Sequence, residues 1–443
     1  MKINILCLCV AGLALVAVER AVAAPKNVIL MISDGRSYAA VDAARFWRGS
    51  APLYEGKNWN RYFMSTYSAS NDAAKNPKGY DPARVWDNDG VAGYRPNQEY
   101  LKSNATDSAS GITAIVTGQK NRDGQINWSI DDKPLITFAQ IYNAAGRATG
   151  AISTVNWSHA TPAGIGSHNA SRNNYVDIAT EMLTKSGLDV IMGAGNPNFD
   201  NDGKPVATAT YSNVGEANWK GLVDGSSGFK LIQTREEFAA MGTGASTPAR
   251  VCGTFEALST AQQGRAGYKA TDLPGSIPLN ANIPTMSEMA LAALNVLDNN
   301  KKGFFVMMEG GAIDWAAHAN QSARLIEEHL DFDKAVEAVS GWVEANSNWE
   351  DTLVIITSDH GNGMITGPNG ETSIRNNGKG VMPGMKFNHT SHVNELVPLY
   401  ARGAGSGLFK RFDRGNDPVR EKYCDNTDIF RVMVQATGMR LAP

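Results

Sequence analysis

Cysteine is scarce in this 443-residue chain: four in all, and Cys7 and Cys9 fall in an N-terminal apolar stretch. That leaves Cys252 and Cys424, which can form one bridge at most, and the sequence does not reveal whether they lie close together. Runs of basic residues are absent and the net charge is only −3, so nothing points to nucleic acid or an acidic membrane surface as a partner. After the N-terminus no apolar run is long enough to cross a bilayer. No internal repeat is present. Histidine is also sparse, at seven residues, so the places where it occurs carry information.

The N-terminal stretch "MKINILCLCVAGLALVAVERAVAAPKN" has Lys2, an apolar run from Ile3 to Val18, and then "AVAA". It reads as a secretory signal peptide cleaved near Ala23 or Ala24, hence a periplasmic or secreted protein. Residues 25–443 are expected to form one catalytic-sized domain. Five short apolar runs bounded by Gly or polar residues read as strands buried on both faces. They are "KNVILMISDG", "TGAISTV" (149–155), "LDVIMGAG" (188–195), "GFFVMMEGG" (303–311) and "DTLVIITSDHG" (351–361). Helical patterns alternate with them at 135–146, 173–187, 285–300 and about 322–344. This alternation predicts an α/β fold with a large, mainly parallel sheet and helices on both faces. From about 196 to 284 the chain is rich in Gly, Ser, Thr and Asn and reads as an irregular insertion.

The ionisable residues sit at strand ends. Asp34 follows the first run, Glu309 the fourth, and Asp359–His360 the fifth. Ligands of open α/β sheets bind outside the carboxyl ends of strands, so these residues converge on one edge. Asp314 and His318, four apart, share a helical face, a spacing that suits two ligands to one ion. A mixed set of Asp and neutral His favours Zn²⁺, and an all-oxygen set Mg²⁺. Upstream, "SNATDSASGITAIVTGQK" (103–120) reads as a helix capped by Asp107 or Ser108 and stopped at Gly118.

With these residues in view, the chain resembles the alkaline phosphatase family from Lys26 to about Gly405. "DSA" (107–109) is similar to its nucleophile motif, "HATP" (159–162) to a third-metal segment, and "SRNNY" (171–175) to its phosphate-binding segment. "EGGAIDWAAH" and "TSDHG" are similar to metal-binding segments. His392, eleven residues before Gly403, has the family's spacing for a last zinc histidine, in preference to His389, and Glu395 also fits the pattern. The resemblance implies Ser108 as nucleophile and Arg172 as the phosphate clamp. It further implies one zinc on Asp314, His318 and His392, a second on Asp34, Asp359, His360 and the Ser108 oxygen, and Mg²⁺ on Asp34, Thr161 and Glu309. The implied activity is hydrolysis of small phosphate monoesters through a phosphoserine, with homodimerisation a family habit.

The chain departs from that pattern at three places. Arg36 and Ser37 replace the usual Met-Gly after Asp34-Gly35, and Arg36 is expected to face solvent. His159 and Trp315 stand where some relatives carry Asp, and Lys or His. Both are placed at the substrate, with direct ligation of the third ion by His159 left open. "STPAR" (246–250) fits a sulfatase pattern but lacks the Leu-Thr-Gly that usually completes it, so it is taken as chance. A phosphodiesterase and a non-catalytic phosphate- or metal-binding protein are the rival readings.

Overall fold

The computed structural model describes residues 24–70, 79–88, 94–245 and 247–439. The leader and Ser246 of the sulfatase-like string therefore lie outside the described residues. An eleven-stranded sheet carries the fold. Its strands in chain order are β1 (Asn27–Ser33), β2 (Asn60–Ser65), β3 (Ala148–Asn156), β4 (Val190–Ala194), β5 (Lys230–Ile232), β6 (Val251–Thr254), β7 (Phe304–Gly310), β8 (Thr352–Thr357), β9 (Val397–Gly403), β10 (Gly415–Asp417) and β11 (Glu421–Asp425). Their order across the sheet is β10-β11-β2-β9-β8-β1-β7-β3-β4-β6-β5. The seven strands from β8 to β5 are all parallel. Only β9 and β10 run against their neighbours.

Side chains alternate across this sheet, and both faces are covered. Ile29, Met31, Val306, Met308, Val354 and Ile356 pack with the Met286–Leu297 and Ser322–Asn346 helices. Val28, Leu30, Phe305, Met307, Leu353 and Ile355 pack on the other side with the Ser108–Thr117, Phe138–Ala144 and Thr427–Thr437 helices. Two covered faces explain why the central strands read as continuous apolar runs and not as alternating ones.

The 196–284 segment is more ordered than its composition suggested. It contributes β5 and β6 to the sheet edge, together with the Glu216–Val223 and Arg235–Gly242 helices. From 255 to 285 it forms neither helix nor strand. The two cysteines are free and buried. Cys252 lies in β6 and Cys424 in β11, with seven strands between them. Eight interstrand steps of about 4.8 Å place them roughly 40 Å apart, far beyond disulfide reach.

Candidate active site

The carboxyl ends of β1, β7 and β8 deliver Asp34, Glu309 and Asp359–His360 to one buried cluster, all 0% exposed. Backbone geometry fixes the turn after β1. Gly35 adopts φ +67°, and a Cβ there would come within 2.6 Å of Asp314 Oδ1, so a side chain is excluded on two counts. Gly35 N donates to Asp359 Oδ1 at 3.3 Å, and Arg36 N donates to Ser358 Oγ at 2.8 Å. The β1 and β8 turns are thereby tied together.

The Ser108–Thr117 helix begins beside this cluster. Asp107 is its N-cap, accepting Ser110 N at 2.9 Å, and Gly118 closes it in the left-handed conformation. Such a cap contributes about 1 kcal/mol. Gly111 lets the helix approach the β8 turn, since a Cβ there would lie 3.0 Å from Asp359 Cβ. Ser108 Oγ is consequently 3.1 Å from His360 Nε2. Ser110 turns away and donates to Asn121 O at 3.1 Å.

Two sets of side chains offer closely spaced ligand atoms: Asp34–Asp359–His360 and Asp314–His360–His392, each within 4.8 Å. His360 belongs to both, so the two sites share a wall. His318 joins the second set, with Nε2 at 3.2 Å from Asp314 Oδ2 and 3.1 Å from His392 Nε2. Its Nδ1 donates to Thr390 O at 2.7 Å, and His392 Nδ1 donates to Thr106 O at 2.9 Å. A carbonyl only accepts, so each Nδ1 carries a proton and both Nε2 atoms are turned toward Asp314 and each other. Asn362 Nδ2 donates to Asp314 Oδ1 at 2.6 Å and fixes that carboxylate.

The electrostatics point the same way. Burial, then the neighbouring carboxylates Asp359, Asp314 and Glu309, hold Asp34 well above the usual carboxylate range. Burial pushes both Asp359 and Glu309 up to about 7. Asp314 is held below its ordinary value despite its burial, by the His318 hydrogen bond and the nearby rings. Both Asp34 oxygens, Asp359 Oδ2, Glu309 Oε1 and Thr161 Oγ1 are buried without a hydrogen-bond partner. Buried acceptors left open in this way are rare in proteins. Converging carboxylate oxygens and imidazole nitrogens fit divalent cations, with nitrogen-bearing ligands suited to Zn²⁺ and the Asp34–Thr161–Glu309 oxygens to Mg²⁺.

Beside Ser108, Arg172 Nη1 donates to Asp107 Oδ2 at 2.8 Å, and its Nη2 lies 3.2 Å from His159 Nε2. Asp107 therefore caps the serine helix and also anchors the guanidinium. The His159 ring stacks on Tyr175 with centroids 6.3 Å apart and meets Trp315 edge-on at 5.6 Å. Burial, then the Arg172 charge, lowers the His159 pKa to about 3, so His159 is a neutral ring here.

One expectation is overturned. Arg36 does not face solvent: it is 0% exposed. Its guanidinium carbon lies 5.5 Å from the Tyr54 and Phe332 ring centroids and 6.0 Å from that of Tyr400. The cage draws on three distant parts of the chain, which no local pattern announces. Ser153, Asn362, Tyr175 and the Thr106 and Thr390 carbonyls were also missed, since register or loop path alone brings them in.

Comparison with known proteins agrees with this geometry. A family model described as alkaline phosphatase matches residues 25–436. The chain is 28% identical over 352 residues to alkaline phosphatase 4 of Bacillus subtilis, covering 78% of this chain and 64% of that one. It thus spans less than two thirds of that relative. It is 26% identical over 453 residues to the Escherichia coli alkaline phosphatase, covering 94% and 86%. It is 29% identical over 486 residues to streptomycin-6-phosphate phosphatase of Streptomyces griseus, covering 98% and 96%. In fold it is similar to the alkaline phosphatase from the Antarctic bacterium TAB5, with TM-score 0.65, 24% identity, and 95% of this chain and 100% of that one covered.

Proposed function

The chain belongs to the alkaline phosphatase family, and from that premise we propose that it hydrolyses phosphate monoesters through a phosphoserine on Ser108, with two Zn²⁺ and one Mg²⁺. The observation that carries this reading is the 3.1 Å approach of Ser108 Oγ to His360 Nε2, at a helix start and inside a cluster of open carboxylate oxygens. One ion would rest on Asp314, His318 and His392, a second on Asp34, Asp359, His360 and the Ser108 oxygen, and the third on Asp34, Thr161 and Glu309. Bound there, the ions supply Lewis acidity that favours the ionised serine, the leaving oxygen and an attacking water.

The chain's own groups do the remaining work. The first-turn N–H groups of the Ser108–Thr117 helix face the phosphoryl oxygens. Arg172, held by Asp107, grips two of those oxygens with its planar fork. Trp315 presents an indole N–H and a flat face to the ester, and neutral His159 backs the guanidinium. A monoester presents three non-bridging oxygens, enough for the fork and one more for the remaining cationic groups, where a diester presents only two, which favours monoesters. Residues 25–443 act as one catalytic domain, delivered outside the cytoplasm by the leader, with a homodimer as the assembly to test. No helix among the described residues is long and apolar enough to cross a membrane.

The test is hydrolysis of p-nitrophenyl phosphate by the zinc- and magnesium-loaded protein from pH 7 to 10, beside Ser108→Ala. Loss of at least about a thousandfold in kcat is expected in the variant, with the fold unchanged. No monoester turnover by the folded, metal-loaded protein would overturn the reading. Because the Streptomyces relative is named for streptomycin 6-phosphate, an aminoglycoside phosphate belongs in the substrate panel.

A further inference from the structure

β3 carries an irregularity beside the site that the proposed chemistry does not use. Against β4 it advances four residues, Ile152 to Asn156, while its partner advances two, Met192 to Ala194. Bulges of this kind bend a strand and re-aim a side chain. Against β7, on the other side, the register stays regular, and Ser153 is the direct partner of Glu309. Parallel partners in register project to the same face, so a serine is set beside the carboxylate.

The hydrogen bonds then fix the direction of one proton. Ser153 Oγ accepts Val155 N at 3.0 Å, and Ser153 Oγ donates to Glu309 Oε2. With Oε2 held, Oε1 is left buried without a partner, as is Thr161 Oγ1. Thr161 and Asp34 both lie close enough to act on the Glu309 carboxyl. The bulge itself is braced from two sides. Ala261 N, from the 196–284 segment, donates to Thr154 O at 2.7 Å, and Thr260 bridges Val155. On the other side Ala312 N donates to Thr154 Oγ1 at 3.3 Å, at the start of the helix that carries Asp314 and His318.

We propose that Ser153 is a positioning residue for the third ion: its hydroxyl holds one oxygen of Glu309 so that the other points at the site shared with Thr161 and Asp34. The proposal rests on the third-ion reading above. Partners that orient a metal-ligating carboxylate typically govern affinity by 10–100-fold, while removing one buried serine hydroxyl leaves the volume of the strand almost unchanged.

The experiment uses the mature protein with its two zinc ions loaded, titrated with Mn²⁺ and followed by the electron paramagnetic resonance signal of free Mn²⁺. Wild type is expected to take up one Mn²⁺, and Glu309→Gln to lose it. Ser153→Ala is expected to bind it at least about tenfold more weakly, with two zinc ions per chain retained and only the small fall in metal-free urea midpoint that loss of the Val155 N–H acceptor brings. Ser153→Cys, which keeps the volume with a weaker donor, falls between. Equal Mn²⁺ affinity in Ser153→Ala and wild type would overturn the inference alone. A wild type that binds no Mn²⁺, or binds it equally well as Glu309→Gln, would instead sink the third-ion reading. Weaker Mn²⁺ binding that comes with loss of zinc and a urea midpoint lowered well beyond that small fall would reduce Ser153 to a structural residue.

Discussion

Two clusters of buried charge lie in the same molecule and are built on opposite terms. At the C-terminal corner, Asp428 accepts Arg414 Nε at 3.0 Å, Arg431 Nη1 at 2.6 Å and Asp425 N at 2.9 Å. Asp425 accepts Ser65 Oγ and Lys120 Nζ at 2.8 and 3.0 Å. Burial alone would raise Asp425, but the Lys120 charge and the hydrogen bonds outweigh it and hold the carboxyl below its ordinary value. At the strand ends Asp34, Asp359 and Glu309 are as deeply buried, yet burial and mutual repulsion raise all three, and four of their six oxygens remain open. Burial is common to both clusters and so does not mark function. Acceptors left open at a cost to the fold point to a bound cation, which recovers that cost above the pH at which a proton does.

The sharpest way to break this comparison is to neutralise one open carboxylate. In the metal-free protein Glu309 has a folded pKa of about 7 against an ordinary 4.5. A carboxyl raised in the folded state binds its proton more tightly there than in the unfolded chain. Its contribution is therefore fully present below pH 4.5 and is lost as pH climbs through 7. Glu309→Gln should overtake the wild type over that window. At about 1.4 kcal/mol per unit, the gain is on the order of 3 kcal/mol by pH 8. Urea denaturation of chelator-treated proteins at pH 4.5, 6 and 8 measures it, and a difference that stays flat with pH would contradict the account.

At the satisfied corner the same kind of change should act with the opposite sign. Asp428→Ala leaves Arg414 and Arg431 without their shared partner. A wholly buried pair broken in this way costs about 3–5 kcal/mol. The two guanidinium groups are 41% and 42% exposed, so water recovers part of it and about 2–3 kcal/mol is expected. Phosphatase activity per folded, metal-loaded molecule should be unchanged. A variant as stable as wild type would show that this corner is ornamental to the fold.

How much of this was legible in the sequence follows from where each residue's information resides. The central strands could be read because burial on both faces writes a continuous apolar run, as in "NVILMIS". The buried cluster could be read because Asp34, Glu309, Asp359 and His360 stand where those runs stop. β5 and β6 could not, since three and four residues in a Gly- and Ser-rich stretch carry too little pattern. Nor could β2, whose burial is mixed. Ser153 was invisible for another reason. It is a small residue inside a strand, and its meaning comes from its register against Glu309, a long-range fact.

Arg36 tests whether a third buried charge belongs with the open cluster or the satisfied one. Its guanidinium makes one long hydrogen bond, 3.4 Å to the Tyr54 hydroxyl, while Nε and Nη2 have no partner. Asp333 keeps two hydrogen-bond partners without it, accepting Tyr54 Oη at 2.7 Å and Arg48 Nη1 at 3.0 Å. Cation–π contact with desolvated rings is worth up to about 2 kcal/mol, against several kcal/mol for taking the ion out of water. His329, buried nearby, has its pKa lowered by burial and then by the Arg36 charge, which the substitution would relieve. Arg36→Met keeps the length and removes the charge, so the metal-free protein should gain about 1 kcal/mol, read as a higher urea midpoint with an unchanged slope. A lower midpoint would mean that attraction to Asp333 across Tyr54 exceeds the cost of burial, and would place Arg36 with Lys120 among the charges that hold the fold together.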